Sequence, residues 1–462
     1  MGEETIAAIS TAYGSAGVGI IRISGDDAAT IADKAFKSKS GKKISEQATY
    51  RIIYGHILNE EKQFVDEALA LTMWAPGSFT GEDVVELQCH GGITVLKKVL
   101  EIVLKAGARL AEPGEFSQRA FLNGRLDLSQ AEAIIELINA KTETAANVAA
   151  KHLQGVLSSE IKKCRQAILE LIASLEADLD FPEEDFARLS PEEIDSYLIK
   201  VETTMKTMLH SFTSGRIIRE GLKVALIGQP NVGKSSLLNT LLKTKRAIVT
   251  DVPGTTRDTI EEYYNLGGIP LLLIDTAGIR ESEDPVEKIG VQKTKEIVEQ
   301  ADLVLYILDL KSGVTSEDQA FLSQLPTEKV LIVGNKIDLV SGEEGKIRKK
   351  IKKKLVNYRF LLISATEKIG IQELEKEIKN MFFAEKWEIK DKVFLTNLRH
   401  KTALDKALAT LASARHSIAS GLPSDFILID LKSCLDFLGE ITGETVDEEV
   451  INQIFSQFCL GK

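Results

Sequence analysis

G-Q-P-N-V-G-K-S, Gly228 to Ser235, follows the apolar, strand-like run L-K-V-A-L-I (Leu222 to Ile227) and opens the helical pattern S-S-L-L-N-T-L-L (Ser235 to Leu242). A glycine-rich turn between a strand and a helix N-terminus is the setting of a phosphate-binding loop. Backbone N–H groups and the helix dipole hold phosphate oxygens there. In this reading Lys234 reaches the β- and γ-phosphates and Ser235 places its hydroxyl on Mg²⁺. Asn231, Val232, Gly233 and Ser236 complete the cradle. Three further strings follow in order: D-T-A-G (Asp275, Thr276, Ala277, Gly278), N-K-I-D (Asn335, Lys336, Ile337, Asp338) and S-A-T (Ser364, Ala365, Thr366), each after an apolar run. Asp275 can hold the magnesium through water, and Gly278 lets the backbone approach the γ-phosphate. Asp338 can accept two hydrogen bonds from the N1–H and exocyclic amine of guanine. Adenine offers no such pair, and a buried carboxylate left unpaired rejects it. The Ala365 N–H is placed to meet guanine O6; most GTPases have Lys where Thr366 stands here. Any one string alone could be a strand-end turn. The ordered set predicts a GTP site.

At 462 residues the chain has room for about three domains. With 44% hydrophobic and 27% charged residues its composition is globular. No apolar run approaches the ~20 residues that cross a bilayer, and M-G-E-E-T-I at the start is acidic where a signal peptide is basic. Cys89, Cys164, Cys434 and Cys459 form no C-x-x-C pair, which argues against a zinc site or a disulfide framework. The first three read as small buried apolar residues. A cytoplasmic protein with no membrane contact is expected. The net charge of −11 makes nucleic-acid binding a matter of local patches. The obvious patch is K-I-R-K-K-I-K-K-K, Lys346 to Lys354, where Ile347, Ile351 and Leu355 form an apolar stripe. That spacing predicts an amphipathic surface helix with a solvated basic face, RNA contact being the alternative.

From Leu222 to about Phe383 strand-like runs ending at Gln229, Asp275, Asp309, Asn335 and Ser364 alternate with helical runs, as in a doubly wound sheet. Every motif falls at a strand's C-terminal end, where such sheets bind ligands. Thr259 to Ile274 reads instead as an antiparallel hairpin. The first ~120 residues carry short β-prone runs and one helix over Ile93 to Ala106, an α+β domain. Long helical patterns cover Phe116 to Ala140, Thr142 to Ala177, Pro191 to Ser214, Thr396 to Ser420 and Asp425 to Phe458. Neither helical piece looks large enough to bury a core alone. The expected fold is therefore an α/β and α+β multidomain chain, divided as an N-terminal α+β domain over 1–120, a discontinuous helical domain over 121–216 and 384–462, and an inserted Ras-like P-loop GTPase domain over 217–383. The acidic stretch Glu176 to Phe186 reads as a solvated kink at Pro182 rather than a metal site.

Several strings outside the GTPase motifs carry a resemblance over the whole length. They are S-G-D-D-A (Ser24 to Ala28), S-F-T-G-E-D-V-V-E-L-Q-C-H-G-G (Ser78 to Gly92), E-P-G-E-F-S-Q-R-A-F-L-N-G-R-L-D-L-S-Q-A-E (Glu112 to Glu132), D-F-P-E-E-D and the terminal C-L-G-K, Cys459 to Lys462. With these the chain resembles the MnmE/TrmE family of tRNA-modifying GTPases. The resemblance implies addition of an aminomethyl or carboxymethylaminomethyl group to C5 of the tRNA wobble uridine. The implied partner is an FAD-containing MnmG/GidA protein in a heterotetramer, with the FAD on that partner and not on this chain. The carbon would come from 5,10-methylenetetrahydrofolate or 5-formyltetrahydrofolate, the nitrogen from glycine or ammonium. The N-terminal domain would bind the folate and form a homodimer.

Carried onto this sequence, Arg22, Glu86 and Arg125 would contact the tetrahydrofolate, with Lys462 approaching from the C-terminus. A pterin edge suits a carboxylate and a glutamate tail suits Arg or Lys; read without the resemblance, Arg22 and Glu86 are ordinary strand-surface charges. The Cys459 thiol could assist carbon transfer. Ras-type GTPases place Gln after D-x-x-G, but Ile279 stands here and cannot orient water. The resemblance assigns that role to Glu287, which alone reads as a helix N-terminal glutamate. It also implies a K⁺ ion between the phosphates, held by the Asn231 side chain and the carbonyls of Thr250, Val252 and Thr255. The loop with Asp251, Pro253 and Gly254 would curl over the nucleotide, and Thr256 would be a second Mg²⁺ ligand. Arg257, Asp258 and Arg280 are candidates for contacts between two GTPase domains. The competing readings are an Era/Der-like ribosome-assembly GTPase, for which neither a KH-like G-x-x-G context nor a second GTPase repeat is visible, and a folate-dependent aminomethyl transferase whose GTPase domain only regulates.

Overall fold

Period-two burial along Arg51–Leu58 and Phe64–Met73 is what an antiparallel sheet with one covered face requires. The computed structural model describes residues 4–180, 189–244, 261–275, 296–340, 342–383 and 393–462. They fall into two compact units, one of Met1–Ile135, His152–Leu198 and Lys406–Lys462, the other of Glu136–Lys151 and Ile199–Asp405. The first holds a seven-stranded sheet of β1 (Ile6–Ile9), β2 (Ala16–Ser24), β3 (Phe36–Ser38), β4 (Arg51–Leu58), β5 (Phe64–Met73), β6 (Val84–Gly91) and β7 (Arg109–Leu110), in the order β3-β4-β5-β6-β2-β1-β7. All pairings are antiparallel except β1 with β7. Helices Ala28–Ala35 and Ile93–Lys105 cover one face, packing Ile31, Leu96 and Val99 onto Ile21, Ile23, Ile57 and Leu87. On the other face Ile6 and Ala8 meet Phe116 and Phe79, and farther along Ile52, Tyr54 and Leu69 are exposed.

Also in this unit, Val156–Asp180 packs along Ser424–Thr442, burying Cys164, Ile168, Leu171 and Leu175 with Leu431, Cys434 and Leu438. The long helical patterns of the sequence are interrupted in the structure. Helices Glu115–Leu122 and Leu128–Asn139 are separate, as are Glu143–Leu153 and Val156–Asp180, and as are Ser424–Thr442 and Glu448–Phe455. The breaks hold Gly124, Gly155 and Gly443, all at positive φ, a conformation that ends a helix. Pro182 and the rest of the acidic stretch after Asp180 lie outside the described residues.

The second unit is built on a sheet of β8 (Leu222–Ile227), β9 (Glu261–Leu266), β10 (Ile269–Asp275), β11 (Leu303–Asp309), β12 (Val330–Asn335) and β13 (Arg359–Leu362), ordered β13-β12-β11-β8-β10-β9. The pairs are parallel except β9 with β10. That exception is the expected hairpin, its two-residue turn formed by Gly267 and Gly268, both at positive φ. Along β11, Leu303, Leu305 and Ile307 face one apolar core and Val304, Tyr306 and Leu308 face the other. Helices Lys234–Thr244 and Ile371–Phe382 pack on the first face, Ser316–Leu322 and Glu344–Lys354 on the second. A doubly wound sheet results, buried on both faces, as near-continuous apolar strands demand.

Candidate functional site

Parallel strands β8, β10, β12 and β13 all end at one edge, so the loops that follow them converge. The first of these loops, between β8 and Lys234–Thr244, carries Asn231 at φ 61° and Gly233 at φ 101°. A Cβ on Gly233 would lie 2.2 Å from Asn335 Nδ2, so nothing larger than glycine fits. Lys234 is buried and its Nζ donates to the carbonyls of Gly228 and Gln229, each at 2.9 Å. Ser235 and Ser236 stand exposed in the first helical turn, where phosphate oxygens or a hydrated cation can reach them.

Asn335 ties the site together. Its Nδ2 donates to Val232 O at 2.9 Å and its Oδ1 accepts from Ala365 N at 3.0 Å, linking three of the four motifs from a buried position. Lys336 adds a second tie, donating to Asn231 O at 2.7 Å and to Asp309 Oδ2 at 2.7 Å. Burial pushes the Asp309 carboxyl up, but the Lys336 hydrogen bond and backbone N–H groups outweigh it and hold it below the usual carboxylate range. Thr240 Oγ1 donates to Ala365 O at 2.8 Å, and the Ser364 and Thr366 hydroxyls lie 3.2 Å apart. Because Ala365 N–H is engaged by Asn335, a guanine O6 would have to share or displace that bond. Asp338 presents a buried Oδ1 with no partner. An unpaired buried acceptor costs about 1–3 kcal/mol, and a ligand with two adjacent N–H donors would relieve it. The residues present thus fit a guanine nucleotide.

Asp275 closes β10 beside Leu226 of β8. Thr250, Asp251, Val252, Pro253, Gly254, Thr255, Thr256, Thr276, Ala277, Gly278 and Glu287 lie outside the described residues, as do Arg257, Asp258, Ile279 and Arg280. Of the K⁺ and Mg²⁺ ligands named from sequence, Asn231 and Ser235 are therefore the two described.

The second constellation lies on the other face of the first sheet, opposite helices Ala28–Ala35 and Ile93–Lys105. Arg22 and Glu86 are direct cross-strand partners, with Arg22 Nε 2.9 Å from Glu86 Oε1. The Arg22 guanidinium lies over Phe79 at 5.0 Å and Phe116 at 5.6 Å, so aromatic faces position it. Arg125 lies over the same Phe79 ring at 5.7 Å and donates to Phe79 O at 3.0 Å. The chain end comes to this place too: Gly461 sits against the Ile9 carbonyl so closely that a Cβ would be 2.2 Å from the oxygen. Lys462 is half-buried there. Burial first, then the Arg22 charge, push its amine below the usual lysine range, while Cys459 and Glu86 pull it back up. The structure therefore brings Arg22, Glu86, Cys459 and Lys462 into one neighbourhood, with Arg125 held at its edge by Phe79.

Phe79 and Phe116 have no role in the sequence reading, although both lie within strings singled out there; the guanidinium–aromatic contacts assign them one. Cys89 and Cys434 are buried with thiols pushed up to about 12 by burial, and burial likewise raises Cys164 to about 11. Those three are inert at neutral pH. Cys459 is exposed.

A model of the MnmE helical domain matches residues 128–459, and a model of the N-terminus of the GTP-binding protein TrmE matches residues 5–125. The tRNA modification GTPase MnmE of Acetivibrio thermocellus is 49% identical over 461 residues, covering 100% of this chain and 99% of the relative. Its counterpart from Carboxydothermus hydrogenoformans is 47% identical over 463 residues, with 100% of both chains covered. Among solved structures, the G domain of the T. maritima FeoB iron transporter is 28% identical over 35% of this chain and 98% of its own, at a TM-score of 0.27. Among the described residues no helix is long and apolar enough to cross a membrane.

Proposed function

The chain belongs to the MnmE family of tRNA modification GTPases, and we propose that it couples GTP hydrolysis to addition of a C5 aminomethyl or carboxymethylaminomethyl group to the tRNA wobble uridine. The observation that carries the folate half of this reading is the docking of the C-terminal Cys459–Lys462 segment beside the Arg22–Glu86 pair. Glu86 offers acceptors to a pterin edge, while Lys462 and Arg125 offer cations to a glutamate tail. A tetrahydrofolate bound there supplies the one-carbon unit. Cys459, which is exposed, would be the thiol that assists its transfer. An FAD-bearing MnmG/GidA protein is the proposed partner, and the cytoplasm the proposed compartment. The exposed apolar face of Ile52, Tyr54 and Leu69 supports a homodimer through the N-terminal domain. The working division remains 1–120, 121–216, 217–383 and 384–462.

In the GTPase half, Lys234 would exchange its loop carbonyls for phosphate oxygens, and Asp338 would select guanine. Glu287 would orient water in place of the glutamine that Ile279 replaces. Mg²⁺ and K⁺ would supply positive charge at the phosphates, with Ser235 and Thr256 holding the first and Asn231, Thr250, Val252 and Thr255 the second. A ribosome-assembly role of the Era/Der kind is not favoured, since the family match spans the whole chain. The deciding experiment is mass spectrometry of tRNA nucleosides from cells lacking this chain, with and without its gene restored. Loss and recovery of C5-modified wobble uridines is expected. An unchanged profile in cells with no second copy would defeat the proposal.

A further inference from the structure

We propose that the basic helix Glu344–Lys354 is a docking face for the phosphate backbone of tRNA, an inference that rests on the tRNA-modifying reading above. The helix carries Lys346, Arg348, Lys349, Lys350, Lys352, Lys353 and Lys354 against the single Glu344, in a chain whose net charge is −11. All seven cations are exposed. Arg348 lies over Phe360 at 5.7 Å and Lys354 Nζ donates to Val314 O at 2.7 Å. Among the described residues Lys346, Lys349, Lys350, Lys352 and Lys353 meet no carboxylate.

Other helices of this chain behave differently. Lys98 with Glu101, Lys163 with Glu160, Lys206 with Glu202 and Lys401 with Asp405 are all paired one turn away. Complementing the helix dipole accounts for Lys352, Lys353 and Lys354 in the last turn. It does not account for Lys346 and Arg348, which sit in the N-terminal half where the dipole favours acids, or for Lys349 and Lys350 at mid-helix, before the last turn. Like charges three and four residues apart also repel along the same face. A polyanion docked on that face removes both penalties.

The apolar stripe decides between polyanions. Ile351 and Leu355 are buried in the core beneath β11 and β12, and Ile347 packs against it. No apolar side is left to enter a bilayer, so a membrane-surface role is disfavoured. At about 16 Å the helix is long enough to meet several phosphates of an RNA strand. A depression of about 540 Å³ adjoins it, and Lys311, Lys350 and Lys354 line its wall. Of the two carboxylates on the same depression, Asp309 is paired with Lys336, which leaves Glu343 against the three lysines. Such contacts would set the position of the tRNA without reading its sequence.

The test is binding of an unmodified tRNA transcript to the full chain across a series of NaCl concentrations, for the parent and for Lys346→Gln/Lys349→Gln/Lys350→Gln/Lys353→Gln. The variant is expected to bind at least ~10-fold more weakly near physiological salt, and its log K against log[salt] slope to be shallower by about 3. GTP affinity and thermal midpoint should be those of the parent. The matching four-arginine variant should bind tRNA as the parent does. A Gln variant with the parent's affinity and slope would overturn this docking face alone. So would loss of binding to phosphatidylserine vesicles with tRNA binding intact. A parent that binds no tRNA, even with the FAD partner present, would overturn the tRNA-modifying reading and this proposal with it.

Discussion

Asn335 shows how much one side chain can do before any ligand arrives. Guanine-reading motifs are usually described by their contacts to the base, yet here the asparagine spends both ends of its amide on protein. One end holds the Val232 carbonyl, the other the Ala365 N–H. The phosphate loop and the S-A-T loop are thereby fixed relative to each other, which lowers the ordering cost of binding. Asn335→Ala leaves a buried donor and a buried acceptor without partners, at about 1–3 kcal/mol each. The expected outcome is a urea midpoint shifted down by a loss of roughly 2 kcal/mol or more, with GTP affinity reduced at least ~10-fold. A variant with intact GTP affinity would show that the loops need no such tie.

At the scale of elements, the terminal C-L-G-K segment is the one whose placement turns sequence into a site. Its four residues matter because Gly461 can lie flat against the end of β1, carrying Lys462 and Cys459 to Arg22 and Glu86. Lys462 is protonated below its folded pKa, which burial and Arg22 hold under the ordinary 10.5. Affinity for a folate with its glutamate tail should therefore begin to fall with rising pH before an ordinary lysine would titrate. In Lys462→Met this alkaline step should vanish and the plateau affinity should be lower. Calorimetric titration between neutral pH and pH ~10 checks both, and a step that persists in the variant would assign it to another group. Motifs set by backbone shape, such as the phosphate loop and the Gly267–Gly268 hairpin, were legible in the sequence because few residues satisfy them. The breaks at Gly124, Gly155 and Gly443 were not, since apolar periodicity continues across a glycine that tertiary packing turns into a stop. Nor was the role of Phe79, because an aromatic in a strand-rich segment reads as core until a guanidinium is seen over it. The Asn335 double tie was hidden for a similar reason: its motif names a base contact, and only the parallel strand order puts Val232 and Ala365 within reach.

For the molecule as a whole, the proposed chemistry requires the nucleotide and folate ends to communicate. The chain passes between its two units within the helices Leu128–Asn139, Glu143–Leu153, Pro191–His210 and Leu398–Ala419, each of which has residues in both. The proposed coupling would run through these shared helices. In the proposed mechanism, closure of the nucleotide site would depend on the cation. With Ile279 unable to orient water, hydrolysis should be faster in K⁺ than in Na⁺ at matched ionic strength, and Glu287→Ala should lower kcat while GTP binding is kept. Equal rates in the two salts would remove the potassium site, and binding that falls with turnover would make Glu287 structural. Coupling adds a stricter requirement, because linkage is reciprocal. If a non-hydrolysable GTP analogue in K⁺ changes the folate Kd by some factor, folate must change the analogue's Kd by the same factor. A factor of about 5 or more is expected for a working coupling. It should shrink toward one when Na⁺ replaces K⁺, since the cation acts on closure rather than on the folate contacts. A folate affinity indifferent to nucleotide and cation would mean that the GTPase gates the partner or the tRNA instead.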